Sequence, residues 1–277
     1  MDVINTPSAR KADAPGNRDQ VKVTHRVLDL NLFDPDVAQF CALAVMTKAP
    51  RAGQVKTRLV PPLTLAEAAQ LNACFLRDTA DAITEATSHI ARGIAVYTPV
   101  GAEEMYSDIL PRDFELLSQR GNGFGERLAA ASEDLLQIGF GSVCLIDSDS
   151  PMVSSKIYAK AARLLSVQGD RIVLGPADDG GYYLIGLKKN HRRLFEEIDW
   201  STHDVLKQTV ERAAELNLAV EFLPVSYDVD DRTTLRRVCE ELLGENARST
   251  INIAPATRTF LRGIIEREGR ERIWPHP

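Results

Sequence analysis

The fold of this chain is limited most by the way short apolar runs alternate with longer stretches of helical periodicity. Cys41-Ala-Leu-Ala-Val-Met46 is an apolar run of strand length. From Thr64 onward, Leu65, Ala68, Ala69, Leu71, Phe75, Leu76, Ala80 and Ile83 recur at three- and four-residue steps, and Thr64 with Glu67 forms a capping box. The pattern then predicts strands at Gly93–Tyr97 and Phe114–Leu117, and a helix over Gly125–Ile138 that Gly139 and Gly141 close. A strand at Ser142–Ile146 and a helix over Ser154–Val167 follow, then strands at Arg171–Leu174 and Tyr182–Leu187. A helix over Thr202–Leu216, a strand at Ala219–Leu223 and helices over Thr233–Leu243 and Pro255–Glu266 complete the series. Such alternation predicts a single α/β domain with a mostly parallel sheet and helices on both faces. Ligands of such sheets bind beyond the carboxyl ends of the strands.

Composition narrows the class. The 277 residues suffice for one large domain, and a net charge of −6 argues against a nucleic-acid partner. An acidic chain can still bind an anion through a local basic loop. No apolar stretch approaches the ~20 residues that span a bilayer, and the first residues lack an apolar leader core. Neither a membrane nor export is expected. Cys41, Cys74, Cys144 and Cys239 are far apart and form no Cys-x-x-Cys pair. They are expected as small hydrophobes in a reducing, cytoplasmic setting.

The polar clusters all follow predicted strands, which gathers them on one sheet edge. After the first strand comes Thr47-Lys-Ala-Pro-Arg-Ala-Gly-Gln-Val-Lys-Thr-Arg58. Lys48, Arg51, Lys56 and Arg58 supply charge, and Gly53 a turn. Backbone N–H groups and the N-terminus of the helix that follows supply dipoles, a combination suited to phosphate. A solvated basic loop has the same composition, and the spacing is not that of a Walker A motif. Asp147-Ser-Asp149 ends a buried strand, where two carboxylates need a cation or donors. That suits Mg²⁺ or Mn²⁺ held with phosphate oxygens, and equally a helix N-cap. Gly175-Pro-Ala-Asp-Asp-Gly-Gly181 suits close approach to a ligand or a tight hairpin turn. Asp228-Val-Asp230-Asp231 suits a metal or a helix cap. Trp200 and His203 open a helix, and Trp200 suits a pocket wall or simple packing. Taken together, a basic cradle facing three acidic strand ends points to phosphates and their metal.

In this order the residues resemble a known family. Lys48-Ala-Pro-Arg-Ala-Gly-Gln-Val-Lys-Thr-Arg-Leu59, Gln119 through Gly125-Glu-Arg127, Asp149-Ser-Pro151, Gly175 through Gly186, Phe195 through Thr202 and Asp228-Val-Asp230 look like its six motifs. The family is the DUF2064 group, also called radical-SAM/selenodomain-associated transferase 1 and often labelled as arsenosugar-biosynthesis glycosyltransferases. The resemblance covers roughly residues 41–240. It implies the GT-A-like, Rossmann-like fold of nucleotide-diphospho-sugar transferases. Residues 1–38, polar and aperiodic, then form a flexible or loosely packed extension, 39–245 the transferase domain, and 246–277 a helical tail. Asp147 stands where the family usually has Gly, which makes Asp149 the metal candidate.

The resemblance implies a metal-dependent glycosyltransferase that moves a sugar from a nucleotide-diphospho-sugar to a small-molecule acceptor. Lys48, Arg51, Gly53, Lys56, Thr57, Arg58 and Arg127 would bind the nucleotide phosphates. Asp149 and Asp230 would hold Mg²⁺ or Mn²⁺, and Gly180, Gly181 and Trp200 would meet the substrate. Asp179 is the expected base, and Lys56 has a catalytic role at the phosphates. The alternative is a nucleotidyltransferase that joins a nucleoside triphosphate to a phosphate or phosphonate substrate and releases pyrophosphate. The Lys-Thr-Arg-Leu loop also resembles that of phospholactate guanylyltransferases, whose later motif is absent. A non-catalytic nucleotide-binding protein is the third reading; it has no need of Asp149 or Asp179.

Overall fold

Strand β1 (Cys41–Lys48) is buried along almost its whole length. The computed structural model describes residues 23–87, 89–245, 247 and 252–274. An apolar strand with no polar face must be covered on both sides, so β1 sits inside a sheet. Its neighbours are β2 (Ala91–Thr98) and β4 (Ser142–Ile146), both parallel to it. With β3 (Glu115–Ser118), β5 (Arg171–Pro176), β6 (Tyr182–Leu187) and β7 (Ala219–Phe222), the seven strands run in the order β3-β2-β1-β4-β6-β5-β7. Only β6 is antiparallel to its neighbours β4 and β5, so the sheet is mostly parallel as expected.

Alternate strand residues feed two cores. On one face Leu43, Val45, Tyr97 and Cys144 pack against α1 (Leu65–Ala86) and α3 (Ser155–Ser166). On the other, Ala42, Ala44, Ile94 and Leu145 pack against α2 (Phe124–Ile138), and Ala213 of α4 (Val205–Glu215) joins the same core. A third cluster lies outside α1. There Leu71 and Phe75 meet Leu235 and Val238 of α5 (Arg232–Leu243) and Leu261 of α6 (Pro255–Glu268). The start of α6 is held by Asp78, whose carboxylate accepts the Ala256 and Thr257 N–H groups at 2.8 Å each. Among the described residues, no helix is long and apolar enough to cross a membrane.

Of the expected N-terminal extension, residues 1–22 lie outside the described residues. Within residues 23–38, the stretch 26–28 is applied to the sheet edge, and Asp34 N–H donates to Ile138 O at the end of α2. Leu116 N–H donates to Arg26 O and Leu28 N–H to Leu116 O, each at 2.8 Å, and Leu28 is buried. This covers the free edge of β3, which would otherwise offer unpaired backbone groups.

The predicted capping box forms. Thr64 Oγ1 accepts the Glu67 N–H, and Glu67 accepts the Thr64 N–H at 2.8 Å. The same carboxylate takes Arg272 Nη1 at 2.9 Å and joins the chain's end to α1. Arg272, against the opposing effect of burial and with Thr64 assisting, holds Glu67 down to about 2. The folded-state value is depressed, so this stability is present above the unfolded value of about 4.3 and is lost as pH falls toward 2. Glu67→Gln is expected to cost roughly 2–3 kcal/mol at pH 7 and about half of that at pH 3. Urea denaturation at the two pH values checks this; a cost unchanged at pH 3 would remove the carboxylate as its source.

Candidate functional site

The parallel strands β1, β4, β5 and β7 bring their carboxyl ends to one edge, and antiparallel β6 starts there. Just after β3, Gln119 ties together the ends of β1 and β2: its Nε2 donates to Thr47 O at 3.1 Å and Val96 O at 2.8 Å. Gly53 turns the loop after β1 at φ +76, and Lys56 stands in the left-handed region at φ +49. Buried Leu59 and Leu63 anchor its far end. Lys48, Gln54, Lys56, Thr57 and Arg58 line a cavity of about 270 Å³ together with Asp149 and Asp230.

Lys56 does not extend into solvent. Its side chain is 4% exposed, with Nζ 3.0 Å from Asp149 Oδ2 and 2.6 Å from Asp230 Oδ1. Burial works against its charge, but the two carboxylates outweigh it and raise its proton affinity. Asn72 Nδ2 at 3.4 Å and Ser148 Oγ at 3.1 Å donate to Asp149 Oδ1. Arg58 is 76% exposed, with Nη1 3.8 Å from Asp230 Oδ2. Three expected phosphate ligands do not line this cavity: Gly53 serves the turn of the loop, Arg51 Nε points at Met105 Sδ, 3.3 Å away, and Arg127 Nε donates to Gly121 O at 3.3 Å.

A second cavity of about 480 Å³ adjoins the first and shares Arg58, Asp149 and Asp230 with it. Asp147, Asp179 and Asp228 supply acid, and Phe124, Tyr182 and Trp200 supply aromatic wall. Trp200 meets Phe124 edge to face at 5.1 Å. Gly125 makes room for it, because a Cβ there would stand 2.5 Å from Trp200 Nε1. Gly181 lines the cavity and donates its N–H to Asp179 Oδ1 at 2.8 Å. Gly180, at φ +94, lies against the His203 backbone, and its carbonyl accepts the Leu206 N–H at 2.9 Å. The glycine-rich run is thus both the β5–β6 turn and a cavity wall.

The acidic motifs divide in the same way. Asp231 caps α5 by accepting the Thr234 N–H, whereas Asp230 and Asp228 face the cavities. Ser154, not Asp149, is the N-cap residue of α3. A Val229 N–H to Asp149 O bond of 2.9 Å joins the two acidic loops. Burial, with Asp149 beside it, pushes the Asp147 carboxyl well above the carboxylate range; Ser150 Oγ donates to it at 2.7 Å. Burial and the neighbouring Asp230 and Asp179 push Asp228 up to about 6. Asp230 moves the other way: burial opposes its charge, but Lys56 prevails and lowers it. Asp147, Asp228, Phe124, Tyr182, Asn72 and Ser148 were not singled out as site residues in the sequence. The acidic motifs signalled the first two, Phe124 lay inside the Gln119–Arg127 motif, and no motif marked Asn72.

Five carboxylates border the two cavities, with Lys56 as the buried cation between two of them. All are hard oxygen donors, the type that Mg²⁺ and Mn²⁺ prefer. Among the described residues, no group of three or more His, Cys, Asp or Glu side chains is arranged to hold a metal unaided. The set therefore suits an ion shared between Asp149, Asp230 and ligand phosphates.

A structure from Desulfovibrio desulfuricans G20, provisionally assigned as a nucleotide-diphospho-sugar transferase, superposes with a TM-score of 0.72 at 28% identity, covering 83% of this chain and 97% of that one. A structure of CMP:2-keto-3-deoxy-manno-octonic acid synthetase complexed with CTP gives 0.46 at 8% identity, over 72% and 96% of the two chains. Rv0371c from Mycobacterium tuberculosis H37Rv in complex with manganese gives 0.43 at 15% identity, over 73% and 99%. The last two are too distant to bear on residues or chemistry. No protein of curated function matches the chain. The fold is that of the nucleotide-diphospho-sugar transferase class, with the GT-A-like sheet that the motifs implied. Within that class, residues 79–202 match the family described as "Uncharacterized protein conserved in bacteria (DUF2064)", the family the motifs resembled.

Proposed function

We propose that the chain is a glycosyltransferase that passes a sugar from a nucleotide-diphospho-sugar to a small-molecule acceptor, with Mg²⁺ or Mn²⁺. The observation that carries this is the junction at Asp149 and Asp230, where a cationic cavity and an aromatic, acidic one meet. The first suits phosphates and the second a sugar and its acceptor. Lys48 and Arg58 hold the diphosphate, Arg58 from the border of both cavities. Trp200 offers an apolar ring to the sugar, as aromatic walls of polar pockets do. When bound between Asp149 and Asp230, a divalent ion supplies charge stabilisation to the leaving diphosphate. The acceptor proton goes to the Asp179–Asp228 pair.

The cation count favours two phosphates over three. Arg51 and Arg127 are turned away, so Lys48, Lys56 and Arg58 stand against the carboxylates of Asp149 and Asp230. That leaves a small positive excess, which suits a diphosphate. Incubation with Mn²⁺, a panel of nucleotide-sugars and nucleoside triphosphates, and pooled polyol and phosphomonoester acceptors tests the proposal. Release of a nucleoside diphosphate from a nucleotide-sugar supports it. Pyrophosphate release from a triphosphate would replace it with nucleotidyl transfer, and binding without release with the non-catalytic reading.

Asp228 gives the proposal a pH signature. A base must be ionised, so kcat/KM is expected to rise with pH through a step near 6. Asp228→Asn should remove the step and lower the plateau about 10²-fold, a usual size for general-base loss. A wild-type profile that is flat from pH 5 to 8 rules Asp228 out as the base.

A further inference from the structure

Resting on the site proposed above, we infer that Lys56 is a resident counter-ion that keeps the metal position closed until a phosphate-bearing ligand draws its ammonium away, so that metal and phosphate bind as a pair and each binds poorly alone. The starting point is which oxygens Lys56 uses. Asp149 and Asp230 come from loops 81 positions apart, after β4 and β7, and Nζ stands between them at 3.0 and 2.6 Å. Asp149 Oδ1 accepts from Asn72 and Ser148, and Arg58 Nη1 stands 3.8 Å from Asp230 Oδ2. The two oxygens through which Asp149 and Asp230 could share one ion are the two that Lys56 bridges.

The ammonium and a divalent ion exclude each other at that point. Mg²⁺ takes its oxygens at about 2.0–2.1 Å, so an ion bridging the same pair would overlap an ammonium placed 2.6 to 3.0 Å from them. Their like charges repel as well. Lys56 must therefore leave for the ion to enter.

Its surroundings give it one place to go. The Phe75 ring, 5.7 Å from Nζ, marks the core side. On the other side lies the cavity of about 270 Å³ that Lys56 itself lines with Lys48, Thr57 and Arg58. A flexible four-carbon stem rooted at a left-handed residue can swing there. An ammonium that leaves the two carboxylates for this cavity comes closer to the like charges of Lys48 and Arg58, which is unfavourable unless an anion is present. With a phosphate in the cavity, the ammonium exchanges carboxylates for phosphate oxygens and the ion takes the carboxylates. Linkage then makes the effect reciprocal: metal raises phosphate affinity by the factor by which phosphate raises metal affinity.

The test is metal binding, read without turnover. Free Mn²⁺ is followed by electron paramagnetic resonance during titration of wild type, Lys56→Gln and Asp149→Asn, each with and without inorganic pyrophosphate and corrected for Mn²⁺-pyrophosphate in solution. Wild type is expected to bind Mn²⁺ alone weakly and at least tenfold more tightly with pyrophosphate. Lys56→Gln should bind Mn²⁺ alone at least tenfold more tightly than wild type and gain less than threefold from pyrophosphate. Equal Mn²⁺ affinity of wild type and Lys56→Gln, with Asp149→Asn abolishing binding, overturns the lysine's role and leaves the site intact. Unchanged binding in Asp149→Asn overturns the site itself. Should Lys56→Gln fail to show a cooperative melt, the wild-type titrations decide alone: Mn²⁺ affinity independent of pyrophosphate overturns the inference.

Discussion

Asp149→Asn is expected to abolish transfer while leaving the fold in place. The carboxylate ends a buried strand, lines both cavities and contacts Lys56 at 3.0 Å. Asparagine has nearly the same shape and keeps an acceptor for Asn72 and Ser148, so packing is little disturbed. What it loses is the charge that, in the proposed reaction, would help hold the ion against the leaving diphosphate. Removing one preorganised electrostatic contact of this kind lowers turnover by about 10²–10³-fold, and loss of an ion adds to that. A fall of at least about 10³-fold follows. Stability should change by only about 1 kcal/mol, since Lys56 keeps Asp230. Turnover and the rise in melting temperature on adding Mn²⁺ measure the two parts. Asp178→Asn is the control. Asp178 is adjacent in sequence to the proposed base but pairs with Arg237 and lines neither cavity, so its turnover should stay within twofold. Retained turnover in Asp149→Asn would sink the proposed mechanism.

The sheet was legible because strand and helix periodicities are local properties, and all seven strands and six helices lie where the pattern put them. The reversed direction of β6 was not legible, since a buried strand carries the same residues whichever way it runs. The place of the site followed from polar motifs after apolar runs. Its internal partnerships did not, because they depend on side-chain direction. Lys48, Arg51, Lys56 and Arg58 read alike as cations in one loop. Only the left-handed backbone at Lys56 and the buried anchor at Leu59 turn Lys56 inward toward carboxylates 93 and 174 positions away, while Arg51 turns to Met105. Asp147 was set aside because it departs from the family pattern, yet it borders the second cavity. Residues 23–38 gave no periodic signal, because pairing with β3 runs through backbone groups that any sequence carries.

Gly180→Ala is the second large effect, and its cause is steric. Gly180 has φ +94, where an L-residue with a Cβ is strained by roughly 1–2 kcal/mol. The added methyl would also stand 2.6 Å from the Cα and 2.7 Å from the carbonyl carbon of His203. These are backbone atoms at the start of α4 and cannot rotate aside as a side-chain tip does. The loop or the helix must move, at a further ~1–3 kcal/mol. Together these predict a loss of about 3 kcal/mol and a fall in melting temperature of roughly 6–12 °C. The same displacement separates Asp179 and Gly181, on one side of the second cavity, from Thr202 and His203 on the other. Misplacement by about 1 Å is enough to cost some 10²-fold in turnover. Gly181→Ala provides the contrast. Its Cβ would meet only the Asp179 carboxylate, at 3.2 Å, and Gly181 is not at positive φ. That variant should melt within about 2 °C of wild type. It should still lose activity, because the Asp179 side chain must shift. If the two glycine variants melt alike, contact with the His203 backbone is not what requires glycine at position 180.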